Sequence, residues 1–140
     1  MIKVTIKTKE VQKLFEKLSF NAQNMRPALR KIGGMLERTT ENAFNRQGPG
    51  WKPLKAATKT QKQKAGFSGG ILTRRGDLAG SVTSQIEGNT VFIGSNLEYA
   101  GVHQFGFPAK KIPKRPFLIV SEAELRKSNF IISKHLLRVT

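Results

Sequence analysis

The side chains of this 140-residue chain that could act on a substrate are few and scattered. Two histidines are present, His103 and His135, and neither has a partner at a metal-ligand spacing such as His-Glu-x-x-His. His103 follows Tyr99 in a short helical stretch and reads as a structural hydrogen-bonder. His135 lies near a basic C-terminal end and reads as a favourable charge at a helix C-terminus. The acids Asp77, Glu87 and Glu98 fall on three separate elements, without the pairing that hydrolysis by two carboxylates requires. Gly66-Phe67-Ser68-Gly69-Gly70 lacks the Gly-Lys-Ser/Thr ending of a phosphate loop and reads as a flexible linker. Cysteine is absent, which excludes a disulfide-stapled fold and a thiolate metal site. These residues name no catalytic group, no cofactor and no metal, and the expectation is a protein that is not an enzyme.

Charge is the strongest bulk signal, at a formal +16. It is unevenly spread. Residues 51–75 carry seven Lys or Arg and no acid, residues 76–109 carry three acids and no Lys or Arg, and residues 110–140 are basic again. Such a field attracts nucleic acid or an acidic protein surface, although lysines on solvated loops give the same count. The length fits one domain, 1–140. No stretch approaches the roughly 20 apolar residues of a membrane span, and the N-terminus has no apolar signal run. A soluble protein that a signal peptide does not export is expected.

The elements that must position these residues follow from periodicity. Ile2 to Ile6 alternate and read as a strand. Thr8 caps a helix over 9–19, with Val11, Leu14, Phe15 and Leu18 on one apolar stripe. Asn24 to Pro27 start a second helix that runs to about Arg46, with Leu29, Ile32, Leu36, Ala43 and Phe44 as its stripe. Gly33 and Gly34 interrupt it and permit either close packing or a bend. Gly48-Pro49-Gly50 ends it. Residues 51–70 read as a long, flexible basic loop, with a turn or two of helix at Thr58 to Ala65. Asp77 to Gly80 is a short helical turn or a connector. Val82 to Ile86 and Val91 to Ile93 are strands joined at Gly88-Asn89. Asn96 caps a short helix, Leu97 to Gln104. Residues 107–116 form an extended basic loop shaped by Pro108, Pro113 and Pro116. Phe117 to Val120 is β-prone, and Ser121 with Glu124 form a capping box for a last helix over 122–137. The whole reads as α+β: a small, mostly antiparallel sheet packed by helices, with a long basic loop.

Four segments stand out. Trp51, the only tryptophan, lies between a glycine turn and Pro53, where it is either a binding anchor or a core plug. Arg74 and Arg75 suit a phosphate or carboxylate, or are solvated. Ile93 to Gly106 places Tyr99, Val102, His103 and Gly106 on one helix face. Pro113 to Leu118 holds Lys114 and Arg115 on a Pro-fixed chain. The residues offered to a partner are Trp51, Lys52, Lys55, Lys59, Arg74, Arg75, Lys110, Lys111, Lys114 and Arg115.

In this order the segments resemble the phage virion morphogenesis family, which includes tail-completion proteins of P2-like phages and a morphogenesis protein of Mu-like phages. The resemblance is carried by Asn42 to Trp51, by Leu72 with Gly76-Asp77-Leu78-Ala79-Gly80-Ser81, by Ile93-Gly94-Ser95-Asn96 with Tyr99-Ala100 and His103-Gln104-Phe105-Gly106, and by Pro113 to Leu118. It covers about residues 40–120. The chain departs from the family pattern after Gly106, where it runs directly into Phe107-Pro108-Ala109 without further glycine or insertion. The resemblance implies a non-enzymatic assembly protein that completes a tail and enables head–tail joining, in the virion and, before that, in the host cytoplasm. It implies tail and head–tail connector proteins as partners, a homo-oligomeric ring, contact with packaged DNA, and no membrane. The competing expectation from charge alone is a small nucleic-acid-binding module.

Overall fold

A computed structural model describes residues 8–67 and 70–138, with the side chain of Thr8 outside that description. The expected strand at Ile2 to Ile6 and the Thr8 cap lie outside the described residues. Six α-helices and one two-stranded sheet make an α+β fold among the described residues. The helices are α1 (Thr8–Gln23), α2 (Arg26–Asn45), α3 (Ala56–Lys64), α4 (Asp77–Gly80), α5 (Ala100–Phe105) and α6 (Glu122–Leu137). The strands are β1 (Val82–Glu87) and β2 (Thr90–Ser95).

The strands pair antiparallel from Val82 opposite Ser95 to Glu87 opposite Thr90, closed by the two-residue turn Gly88-Asn89. Val82, Ser84, Ile86, Val91 and Ile93 are half-buried, and their alternation turns one face of the hairpin toward α2. The middle of α2 supplies buried Ile32, Met35 and Leu36, packed between Val91 and Ile93 of the hairpin and Ile131 and Ile132 of α6. Gly33 is the close-approach point: a Cβ there would sit 2.5 Å from Ser84 Oγ. The hairpin is pinned by Glu37, whose Oε1 accepts from Ser84 N–H and Oγ–H, each at 2.6 Å.

Helix α1 extends four residues beyond its expected end and docks on α6 through its last turn. Asn21, 2% exposed, donates Nδ2–H to the carbonyls of Leu136 at 2.7 Å and Arg138 at 3.2 Å. In return His135 Nε2 lies 3.0 Å from the Asn21 carbonyl and 2.7 Å from that of Asn24. Both neighbours are acceptors, so this nitrogen carries the proton. Each side chain thus satisfies carbonyls left open at the other helix's C-terminus. His135 stands in the last turn of α6, where it was expected, and its ring serves the end of α1 as well. The stripe Val11, Leu14 and Phe15 is exposed rather than buried, and only Leu18 of the four is half-buried.

Three further boundaries differ. Ser95, not Asn96, turns the chain after β2, since its Oγ accepts Leu97 N–H at 3.2 Å, and α5 begins only at Ala100. Residues 107–112 close into a turn instead of extending: Phe107 and Ile112 exchange backbone hydrogen bonds around a 3-10 turn, Pro108–Lys110. Phe117 to Val120 forms no strand. The capping box of Ser121 and Glu124 is present at the start of α6.

Candidate functional site

The four standout segments meet at one place. Trp51 is 6% exposed and packs with Phe44, Leu78, Ala100 and Phe117 in a core cluster. Its ring meets Phe44 edge-on, with centroids 5.5 Å apart. The approach is possible because residue 48 is glycine at φ 83°: a Cβ there would lie 1.8 Å from the indole. The indole N–H donates to the Pro116 carbonyl at 2.7 Å.

Gln104 secures the same segment. Its Oε1 accepts the N–H groups of Phe117 and Leu118, each at 3.0 Å, and its Nε2 donates to the Leu118 carbonyl at 3.1 Å. Arg115 N–H donates to the His103 carbonyl at 2.8 Å. Residues 115–118 therefore have their backbone partners from one indole, one amide side chain and one helix carbonyl. Within the β-prone run Phe117 to Val120, the Gln104 side chain thus takes up the N–H groups of Phe117 and Leu118 and the Leu118 carbonyl, which a strand pairing would otherwise use.

Beside this knot lies a cavity of about 570 Å³ whose lining includes Leu54, Lys62, Leu72, Arg74, Arg75 and Arg115, with Asp77, Tyr99 and His103 on its walls. Lys62 Nζ donates to the Gly70 carbonyl at 2.6 Å and the Thr73 carbonyl at 3.3 Å. Burial, with Arg74 and Arg115 nearby, holds its ammonium below the usual lysine range. Burial and then Arg115 likewise lower the pKa of His103. His103 Nδ1 is buried and makes no hydrogen bond among the described residues, so the expected structural bonder contributes its backbone carbonyl rather than this ring nitrogen. Arg74 and Arg75 are exposed and lie over the Phe67 ring, 4.8 and 5.9 Å from its centroid.

The residues expected to face a partner thus divide. Trp51 is a core residue, as the plug reading had it, and does not present its ring to solvent. Arg115 is 7% exposed, with Nε donating to the Lys52 carbonyl at 2.8 Å and an Nη to that of Pro53 at 3.4 Å. It ties the 51–53 segment to the 113–118 segment. Lys52, Lys55 and Lys59 are exposed around α3. Lys110, Lys111 and Lys114 are exposed on the turn after α5, with Lys110 over the Phe107 ring. Arg74, Arg75 and Arg115 converge on the cavity; the Lys110, Lys111 and Lys114 group does not line it. Sequence reasoning assigned no role to Lys62 or Gln104. Lys62 had no signal apart from its neighbours in a lysine-rich run. Gln104 sat inside a quoted motif, where an amide next to a β-prone segment was the available clue.

Large apolar side chains also lie open: Phe15 and Phe20 on α1, Leu125 and Phe130 on α6, and Phe105, which is 77% exposed. Among the described residues no group of three or more His, Asp or Glu could hold a metal ion, and no helix is long and apolar enough to cross a membrane.

Comparison with known proteins gives this surface a context. Residues 6–137 match the phage virion morphogenesis family. The Mu-like prophage FluMu G protein 1 of Haemophilus influenzae is 32% identical over 139 residues, covering 95% of this chain and 93% of the relative. FluMu G protein 2 of the same organism is 32% identical over 86% of each chain. The putative capsid assembly protein G of Escherichia phage Mu is 36% identical over 64% of this chain and 65% of its own length. No solved structure matches the chain at a significant level. The chain belongs to the phage virion morphogenesis family, and its role is in the assembly of a phage or prophage particle.

Proposed function

We propose that this protein completes the phage tail and enables its joining to the DNA-filled head, as a non-enzymatic structural component at the tail end or neck. The observation that carries the reading is the family match over residues 6–137. The exposed aromatic residues of α1, α5 and α6 support it, because a monomer rarely leaves that much apolar surface without a partner. The protein works as a homo-oligomeric ring that contacts tail and head–tail connector proteins. The exposed lysines 52, 55, 59, 110, 111 and 114 face acidic neighbours or packaged DNA. It is made in the host cytoplasm and retained in the virion.

The phage Mu relative, a putative capsid assembly protein, favours a second reading, a role in building the head. Deleting the gene and imaging the induced lysate separates the two. Tail completion predicts full heads and tails lying apart. A head role predicts normal tails with absent or misshapen heads. The formal charge of +16 favours a third reading, a nucleic-acid-binding module. That module would bind a DNA duplex tightly and with base or shape preference, losing affinity steeply as salt rises.

A further inference from the structure

We propose that the cavity between α3, residues 70–78 and α5 receives a carboxylate beside an apolar side chain, presented by an acidic segment of another virion protein. The inference rests on the assembly role above.

Four basic side chains reach this cavity: Lys62, Arg74, Arg75 and Arg115. None of them makes an ion pair among the described residues, although Asp77 is also in the lining. Backbone carbonyls hold Lys62 and Arg115 in place without neutralising them. Arg115 spends two of its five guanidinium N–H groups on those carbonyls, and the rest make no hydrogen bond among the described residues. His103 adds a buried, unpartnered Nδ1. The close approach of like charges is a cost that folding alone does not recover, and an anion in the cavity removes it. A carboxylate matches the fork of an arginine in two parallel hydrogen bonds.

The lining decides between kinds of anion. Leu54, Leu72 and Leu78 belong to the lining, so the occupant brings an apolar group along with its charge. The basic residues of the cavity are also confined to Lys62, Arg74, Arg75 and Arg115. The lysines at 110, 111 and 114 do not extend it into a track for a sugar–phosphate backbone. Both features favour an acidic peptide over nucleic acid.

The test uses the full chain with three probes at fixed ionic strength: acetyl-Leu-Glu-Leu-Glu-amide, the same peptide with Gln for Glu, and a 12-nucleotide single-stranded DNA. NMR follows the His103 ring, whose charged neighbours are Arg115, Lys62, Arg74, Arg75 and Asp77. The expected result is a saturable shift with the Glu peptide, a rise in the His103 pKa on binding, and no saturation with the Gln peptide. Arg74→Gln with Arg75→Gln, both at exposed positions, should weaken Glu-peptide binding about tenfold. Equal binding of the two peptides, no response of His103, or a response to DNA alone would each overturn the proposal. In a gene-deletion strain the same double variant should lower the yield of joined particles. Full yield from the variant, where the deletion itself blocks joining, would remove the cavity's role and leave the assembly role standing.

Discussion

The indole N–H of Trp51 and the carbonyl of Pro116, 65 residues apart in the chain, are 2.7 Å from each other. This bond makes the two most distinctive segments of the sequence parts of one core. Trp51→Phe keeps most of the packing and removes the donor, so the loss expected is about 1–3 kcal/mol for an unsatisfied buried carbonyl. Trp51→Ala should cost about 3–5 kcal/mol. Urea unfolding of both variants checks the order.

Gln104 serves three backbone groups at once. Gln104→Leu leaves all three without a protein partner and should cost about 2–4 kcal/mol. Gln104→Glu keeps both acceptor roles and loses only the donation to Leu118, so about 1 kcal/mol is expected. Hydrogen exchange at Phe117 and Leu118 should quicken sharply in the Leu variant and little in the Glu variant.

Adjacent glycines in α2 should respond with opposite signs. Gly33→Ala puts its methyl against Ser84 and should destabilise by about 1–3 kcal/mol, more than the helix propensity returns. At Gly34 the nearest atom to a new Cβ is the end of the Arg38 side chain, 3.6 Å away. Gly34→Ala should therefore stabilise by up to about 1 kcal/mol. Thermal melts of the pair decide this.

The capping box gives a pH dependence. The Ser121 side chain's hydrogen bond holds the Glu124 carboxyl below its ordinary value of 4.5. A carboxylate with a lowered folded pKa contributes stability above its unfolded pKa, and that contribution is lost as pH falls through the folded value. Ser121→Ala should thus cost about 0.5–2 kcal/mol at neutral pH. The gap between the two proteins should narrow as pH falls below the ordinary carboxyl value of 4.5. A gap that is constant with pH would exclude this origin.

The helices were legible where a stripe and a stop signal coincided. Helix α2 ends one residue before its expected end, and α6 starts at its capping box because Ser121 and Glu124 sit three apart. The hairpin was legible from alternation around Gly88-Asn89. Helix α3 was legible only in part, because Ala56 to Lys64 has no apolar stripe and buries no residue. The misread segment at Phe117 to Val120 had strand propensity, but its first two residues are bonded by the Gln104 side chain, which no local pattern encodes. The exposed stripe on α1 obeyed helix periodicity, yet periodicity cannot say whether an apolar face meets its own chain or another. For the candidate site, the arginines were visible as residue types. Their convergence with Lys62 and His103 depends on tertiary packing.

The most direct measurement places the protein in purified particles. Cryo-electron microscopy of virions, and of tails released from a head-deficient mutant, should find density for this chain at the head-proximal end of the tail only. Its absence from tails, together with its presence in heads or head precursors, would contradict the account.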